Sequence, residues 1–466
     1  MSASEAEGYW FESSRGYSSH RSLLISVQTW ALLPKVFQTW DQVRQITPRP
    51  KKIPLTVTLL FPAHLSCGSE MTILTSFPLI DSTCHPPFHG TEANVAHCIC
   101  RVYIVLGILA LSSPRASAQL TFNITNQGGA TAQMMTGFQQ AAAIWSSVLN
   151  DPVTINIKVN AAALQTGQIG ATSAFFDPYA YSSVRNALIN DRTSARDISS
   201  TNALQSGSSF TMLINRTKNS PNGVVSALPY FDTGAGGPGD LGAENNNTIR
   251  LTSANAKALG LIAGDLAGSD GTITFSTLKS YDFDRSNGIN ASQVDFVGVA
   301  VHEIGHLLGF ISGVDNLDGN GTAPGLNDNQ LKFVSAIDLY RFSSRSIGTG
   351  GGVGVIDWTA DNTVKYLSED GGLTPLVTFS NGDNFGDGVG ASHWKDNLGI
   401  GIMDPTVASG EFLSIMANDL AAFDMIGYNL TPTPEPSNCI LLGAAGLAGF
   451  ALVRRYRYDR FQKIIA

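Results

Sequence analysis

The stretch Ser292–Phe310 reads SQVDFVGVAVHEIGHLLGF and carries the clearest structural pattern of the chain. Its apolar residues recur at helical spacing, so the pattern predicts a helix with one apolar face. Ser292 is suited to cap the N-terminus of this helix, and Gly309 stands where the helix is expected to end. Within it lies His302-Glu303-Ile304-Gly305-His306, an H-E-x-x-H motif.

The spacing of the two histidines indicates a metal site. Residues four apart lie on one face of a helix, so the imidazoles of His302 and His306 can reach one ion. The pattern fits Zn²⁺ with one open coordination position. Glu303 can lean toward a water on that ion and serve as general base. The sequence thus predicts hydrolysis by a zinc-activated water, and the site needs a third protein ligand.

A count of the histidines selects that third ligand. In the short pattern H-E-x-x-H-x-x-G-x-x-H the ligand would stand at position 312, which is Ser312 here. The chain has eight histidines, and five of them precede residue 119. Besides the motif pair only His393 is left, in Ala391-Ser392-His393-Trp394. We expect His393 to be the third ligand; the alternative is an ordinary surface or core histidine.

The charge and cysteine content limit the class of protein. Residues 119–436 contain 29 acidic and 15 basic residues, which argues against nucleic acid as a partner. No apolar stretch is long enough for a polytopic membrane protein, and a hydrophobic fraction of 43% argues against disorder. All five cysteines lie outside residues 119–436, so this region has neither a disulfide framework nor a thiolate metal site.

Both ends of the chain are predicted to lie outside the catalytic domain. Residues 95–118 contain an apolar run and end in Ala116-Ser117-Ala118, the pattern of a cleaved secretory signal peptide. Residues 1–94 show no hydrophobic periodicity, and we interpret them as a mis-annotated or disordered upstream segment. The mature chain is then expected to begin near Gln119, and the catalytic domain to span residues 119–431.

The last 35 residues, 432–466, resemble a PEP-CTERM sorting signal. Pro434-Glu435-Pro436 precedes an apolar run over residues 439–453, and an arginine cluster follows from Arg454. The resemblance implies export in a Gram-negative-type bacterium and a location at the cell surface, the outer envelope or the extracellular matrix. It also implies transient membrane contact through residues 439–453, a short transmembrane segment, and removal of the tail by an exosortase.

The motif region resembles the metzincins, and specifically their leishmanolysin-like branch. The matching pieces are HEIGHLLGF (302–310), SHW (392–394) and Gly401-Ile402-Met403-Asp404-Pro405. The resemblance implies a secreted, PEP-CTERM-tagged zinc endopeptidase acting on protein or peptide. Its α+β zincin fold would have an active-site helix, a mixed sheet and a smaller C-terminal subdomain. Met403 would be the Met-turn residue; Met416 is the competitor, with core packing as its alternative role.

Outside the motif, periodicity predicts a helix over Ala132–Asn150 and another over Asn418–Ile426. Strands are predicted over Val153–Val159, Ser209–Ile214 and Ile273–Phe275. The Gly- and Asn-rich segment Asp315–Asn329 is predicted to be a loop.

Two further sets of residues leave alternatives open. Asp282 and Asp284, and likewise Asp315 and Asp318, have a spacing compatible with Ca²⁺, but a solvated loop is the default interpretation of both segments. Tyr428 is either an extra donor to an oxyanion or a core residue.

For the chain as a whole, the alternative function is a non-catalytic cell-surface or biofilm-matrix protein with a structural zinc. A zinc hydrolase of a non-peptide matrix component is a third interpretation.

Overall fold

Helices and strands are mixed along the chain in an α+β arrangement. The computed structural model describes residues 9–13, 119–234, 245–348, 351–432, 454–455, 457–458 and 462. The helices are α1 (Ala132–Val148), α2 (Tyr181–Asn190), α3 (Ala195–Asn202), α4 (Ser253–Ala258), α5 (Phe296–Leu308), α6 (Val314–Asn320), α7 (Ser344–Ile347) and α8 (Ala417–Met425). The strands are β1 (Tyr9–Ser13), β2 (Thr121–Gly128), β3 (Thr154–Ala162), β4 (Gln168–Ala174), β5 (Phe176–Ala180), β6 (Met212–Ile214), β7 (Tyr230–Asp232), β8 (Thr248–Thr252), β9 (Gly271–Ser276), β10 (Tyr281–Asp282), β11 (Val294–Asp295), β12 (Arg341–Phe342), β13 (Ile356–Asp357), β14 (Tyr366–Leu367), β15 (Val377–Thr378) and β16 (Thr406–Val407).

The main sheet has six strands in the order β16-β1-β4-β9-β3-β2. Strands β2, β3 and β9 run parallel to one another, and β4 pairs antiparallel with β9. On its other side β4 pairs with β1 in parallel, and β1 pairs antiparallel with β16. The sheet is therefore mixed, and its strand β4 has both edges paired.

Helices α1 and α5 pack together, and α5 lies against β4 and β9 of the main sheet. The indole Nε1 of Trp145 on α1 donates to the carbonyl of Val301 on α5, and both residues are buried. An aromatic cluster of Phe138, Phe275 and Phe296 joins α1, β9 and the first turn of α5. Every residue of α5 is buried, so the helix is a central element of the core.

The predicted helices over Ala132–Asn150 and Asn418–Ile426 are confirmed as α1 and α8, and the predicted strands as β3, β6 and β9. The predicted cap at Ser292 is wrong. Val294 and Asp295 belong to β11, so α5 begins later, and Asp295 Oδ1 accepts the N–H of Gly298 at its first turn. The end of the helix at Gly309 is confirmed, since this residue has a φ of 122° that favours glycine.

The segment between the motif and His393 is less regular than the main sheet. It contains the small sheet β12-β14-β15, and its strand β13 pairs with the earlier strand β6 in the sheet ordered β13-β6-β7. The prediction of a loop over Asp315–Asn329 is wrong in part, because α6 covers Val314–Asn320 and a 3₁₀ turn covers Asp328–Gln330. Side-chain contacts to distant loops, described below, stabilise α6, and local periodicity gave no signal for them.

The two ends of the chain are described only in small part. Strand β1 (Tyr9–Ser13) lies within the upstream segment 1–94, for which no strand was predicted. The predicted signal peptide (95–118) and the apolar run over 439–453 lie outside the described residues. Among the residues that the structure describes, no helix has the length and apolarity needed to cross a membrane. All the described residues belong to one compact unit of the structure.

Candidate metal centre

Three buried histidine side chains converge beside the C-terminal half of α5. The Nε2 atoms of His302 and His306 lie 3.0 Å apart, and those of His306 and His393 lie 3.2 Å apart. In the described part of the chain, these three residues form the one group of three or more His, Cys, Asp or Glu side chains close enough to share a metal ion. His302 and His306 come from successive turns of α5, whereas His393 comes from an irregular segment 87 residues further on.

Backbone carbonyl groups hold all three rings in the same tautomer. The Nδ1 atom of His302 lies 2.7 Å from the carbonyl oxygen of Ile402, that of His306 2.8 Å from Phe310 and that of His393 3.1 Å from Gly390. A carbonyl oxygen can only accept, so each Nδ1 carries the proton and donates. Each Nε2 is then left with a lone pair that points toward the other two.

This donor set fits a zinc ion. The Nε2 atoms of His302 and His393 lie 3.0 and 3.2 Å from that of His306, and their lone pairs repel unless a cation lies between them. Zn–N bonds of about 2.1 Å in a tetrahedron place nitrogens about 3.4 Å apart. Burial lowers the pKa of His302 and His393 well below the usual value and that of His306 to about 4. The neutral imidazole is the form that binds metal. The outer hydrogen bonds to carbonyls are also those expected of metal-binding histidines.

Glu303 directly follows His302 on α5 and is 0% exposed. Its Oε2 accepts a hydrogen bond from the hydroxyl of Thr172 on β4, at 2.5 Å, whereas Oε1 has no partner in the described structure. Burial raises the pKa of Glu303 to about 8, and the Thr172 hydrogen bond opposes that rise. A Cβ at Gly170 would lie 2.2 Å from Glu303 Oε1, so glycine at this position of β4 leaves room for the carboxylate.

Met403 packs against the motif helix at Gly305 and is completely buried. A Cβ added to Gly305 in the middle of the motif would lie 2.5 Å from Met403 Sδ, so the glycine allows the methionine to approach α5. The N–H of Trp394 donates to the carbonyl of Met403 at 2.9 Å, which joins the His393 segment to the turn around Met403. Met416, the competitor, is 42% exposed at the N-cap of α8 and does not take this place.

Two carboxylates hold the segment that contains His393 and Met403. Asp419 on α8 accepts hydrogen bonds from the indole of Trp394 and from the N–H groups of Ile402, Met403 and Met416. Asp315 on α6 accepts the N–H groups of Ala391 and Ser392 and the hydroxyl of Ser392.

The remaining candidate residues lie elsewhere. The hydroxyl of Tyr428 donates to the carbonyl of Leu308 at 2.7 Å, and the side chain is buried, which agrees with its interpretation as a core residue. The four aspartates proposed for calcium are not brought together as a group of three ligands in the described structure. Asp282 and Asp284 bind N–H groups of their own loop, and Asp318 binds Asn384 and Phe385. Calcium binding stays a prediction.

Three contributors to the site have no signal in the sequence. Thr172 and Gly170 lie on a strand more than 100 residues before the motif, and Asp419 lies in a helix that reads as ordinary core packing. Each of them acts through a contact that only the assembled fold creates. Comparison with known proteins adds nothing to this set, because no protein-family model, curated protein or solved structure matches the chain.

Proposed function

We propose that the chain is a secreted zinc-dependent endopeptidase of metzincin-like architecture. The observation that carries the proposal is the buried carboxylate of Glu303, with one oxygen unpartnered, on the same helix as two of the three converging imidazoles. An unpaired buried carboxylate costs free energy, so a purely structural zinc site has no reason to contain one. A hydrolase needs such a group as a proton acceptor.

His302, His306 and His393 would hold the ion. A bound Zn²⁺ would polarise a substrate carbonyl, increase the acidity of a water molecule and offset the buried negative charge of Glu303. Glu303 Oε1 is free to accept a proton from that water, while the Thr172 hydroxyl keeps Oε2 in place. The same carboxylate then delivers the proton to the leaving amine. Met403 provides an apolar floor that limits movement of α5 and of the His393 segment.

The edge of β4 that faces away from β9 is the place where an extended peptide substrate could bind. This strand carries Gly170 and Thr172 beside Glu303, and an extended peptide could pair with its backbone. In the structure that edge is paired with β1. Cleavage after Ala118, as the sequence predicts, would remove β1 together with the leader and free the edge. Export, the sorting tail and the exosortase remain predictions from the sequence.

Casein cleavage and zinc content, measured together, test the proposal. We would prepare the full chain and residues 119–432, each with and without Glu303→Gln. The expected result is about one zinc in each protein, cleavage that is faster for residues 119–432, and a loss of about 10²–10⁴-fold with Glu303→Gln. Zinc bound at full occupancy with no cleavage of any protein by either form would contradict the endopeptidase. That result would favour the matrix protein with a structural zinc or the hydrolase of a non-peptide component.

A further inference from the structure

Asp315 lies in the first turn of α6, the helix that follows the motif helix, and its carboxylate contacts the segment that carries the third histidine. The Asp315 Oδ1 atom accepts the N–H of Ala391, and Oδ2 accepts the N–H of Ser392 at 3.1 Å. The hydroxyl of Ser392 also donates to Oδ2. Both oxygens of the carboxylate are thus used by the two residues that precede His393.

The contact reaches the imidazole through Gly390. A Cβ at Gly390 would lie 3.5 Å from Asp315 Oδ1 and 3.6 Å from His393 Nδ1, so both side chains approach this glycine closely. The carbonyl of Gly390 accepts the Nδ1 proton of His393. When Asp315 fixes the two peptide groups after Gly390, it therefore also fixes the carbonyl that orients the ring.

Ser392 connects this arrangement to the exit of α5. Its Oγ accepts the N–H of Ser312 at 2.9 Å while donating to Asp315. The hydroxyl of Ser312 donates in turn to Asp338 Oδ1 at 2.6 Å. Ser312 follows the end of α5 closely, so the position of the His393 segment is set relative to the helix that bears the other two histidines.

We infer that Asp315 is a positioning residue for His393, which holds the third imidazole at the place where it completes the metal site. The inference rests on the zinc site of the proposed function, but it does not require that the protein cleaves peptides. It also gives Asp315 a role different from the calcium ligand suggested by its sequence context, because its oxygens are directed at protein donors.

Asp318 provides a matched control on the same helix. Its carboxylate is also buried, and it accepts the N–H groups of Asn384 and Phe385 and the side-chain amide of Asn384. It therefore stabilises a neighbouring part of the same segment with the same kind of hydrogen bonds. The segment held by Asp318 ends several residues before His393, so its loss should not move the imidazole.

The test compares zinc affinity in the full chain for wild type, Asp315→Asn and Asp318→Asn, by competition with a chromophoric chelator and Zn²⁺ alone. An asparagine directs N–H groups toward backbone N–H donors and cannot satisfy them all. We expect Asp315→Asn to weaken zinc binding by about 10–100-fold, the range seen when an outer partner of a metal ligand is lost. Asp318→Asn should stay within about three-fold of wild type.

Substitution by Co²⁺ adds a readout that general loosening would not change. Its visible absorption reports coordination geometry, and we expect the Asp315→Asn spectrum to differ from those of wild type and Asp318→Asn. If Asp315→Asn does not fold, Ser392→Ala removes one of the three donors, and a several-fold weaker affinity is expected. Equal zinc affinity in Asp315→Asn and wild type, or equal losses in both aspartate variants, would overturn the inference. A wild-type chain that binds no zinc would instead refute the proposed zinc site itself.

Discussion

The motif helix and the segment 390–404 supply the same site, but the chain positions their residues by different means. On α5 the helical repeat itself places His302 and His306 on one face, four residues apart. The segment around His393 and Met403 has little regular structure, and distant carboxylates on α6 and α8 hold its backbone. Two of the three histidines are therefore positioned by local helix geometry, and the third by long-range hydrogen bonds.

The largest effect on this comparison is expected from Asp419→Ala. The substitution removes one acceptor from the Trp394 indole and from the N–H groups of Ile402 and Met403. Several buried donors lose their partner, so the free energy of unfolding should fall by about 4 kcal/mol. Zinc affinity should fall as well, because the carbonyl of Ile402 orients His302. Chemical denaturation and chelator competition measure the two quantities.

Asp424→Ala is the matched control for Asp419→Ala, since Asp424 lies on the same helix and is also buried. Its Oδ2 accepts the hydroxyl of Ser194 and lies 3.6 Å from Arg196, away from the metal site. Zinc affinity should be unchanged in this variant. If both variants lost zinc affinity equally, α8 would act on the site only through overall stability.

A smaller effect is expected where the two regions touch, at Gly305 and Met403. Met403→Ala leaves a cavity and should reduce the free energy of unfolding by about 3 kcal/mol. Gly305→Ala should reduce it by about 1–2 kcal/mol, because overpacking against Met403 outweighs the gain in helix propensity.

In the double variant the added methyl group no longer meets Met403 Sδ. The double variant should therefore be more stable than the sum of the single changes predicts, by about 1–2 kcal/mol. Strict additivity in thermal or chemical denaturation would show that the two regions do not press on each other.

The smallest effect is expected from metal removal. It should show most directly that the motif helix and the segment around His393 depend on the metal to different degrees. Hydrogen exchange with zinc and with a chelator should differ by about ten-fold or more for the N–H groups of residues 391–403. The N–H groups inside α5 should change less, because α1 and the main sheet cover this helix with or without a metal. Equal changes in both regions would mean that the metal organises the helix as much as the loop.

Structural features that depend on residues close together in the sequence could be predicted well. Hydrophobic periodicity predicts α1, α8 and the helix that bears H-E-x-x-H, and the glycine at position 309 predicts where that helix ends. The convergence of His393 with the motif was predicted from the number of histidines and from a resemblance, and the structure brings the three rings together. The cap of α5 was misplaced from Asp295 to Ser292, because strand pairing between β10 and β11 delays the start of the helix.

Helical spacing and residue chemistry are local properties, so they were enough to identify the side chains that could bind a metal and the carboxylate that could accept a proton. The folded structure was needed to show that Thr172 and Gly170 accommodate Glu303, that Asp419 holds the turn at Met403, and that Asp315 binds the His393 segment. The hydrogen-bonded pairs among these contacts are 17 to 131 positions apart. Their hydrogen bonds depend on how strands and helices pack, and no local pattern encodes that packing.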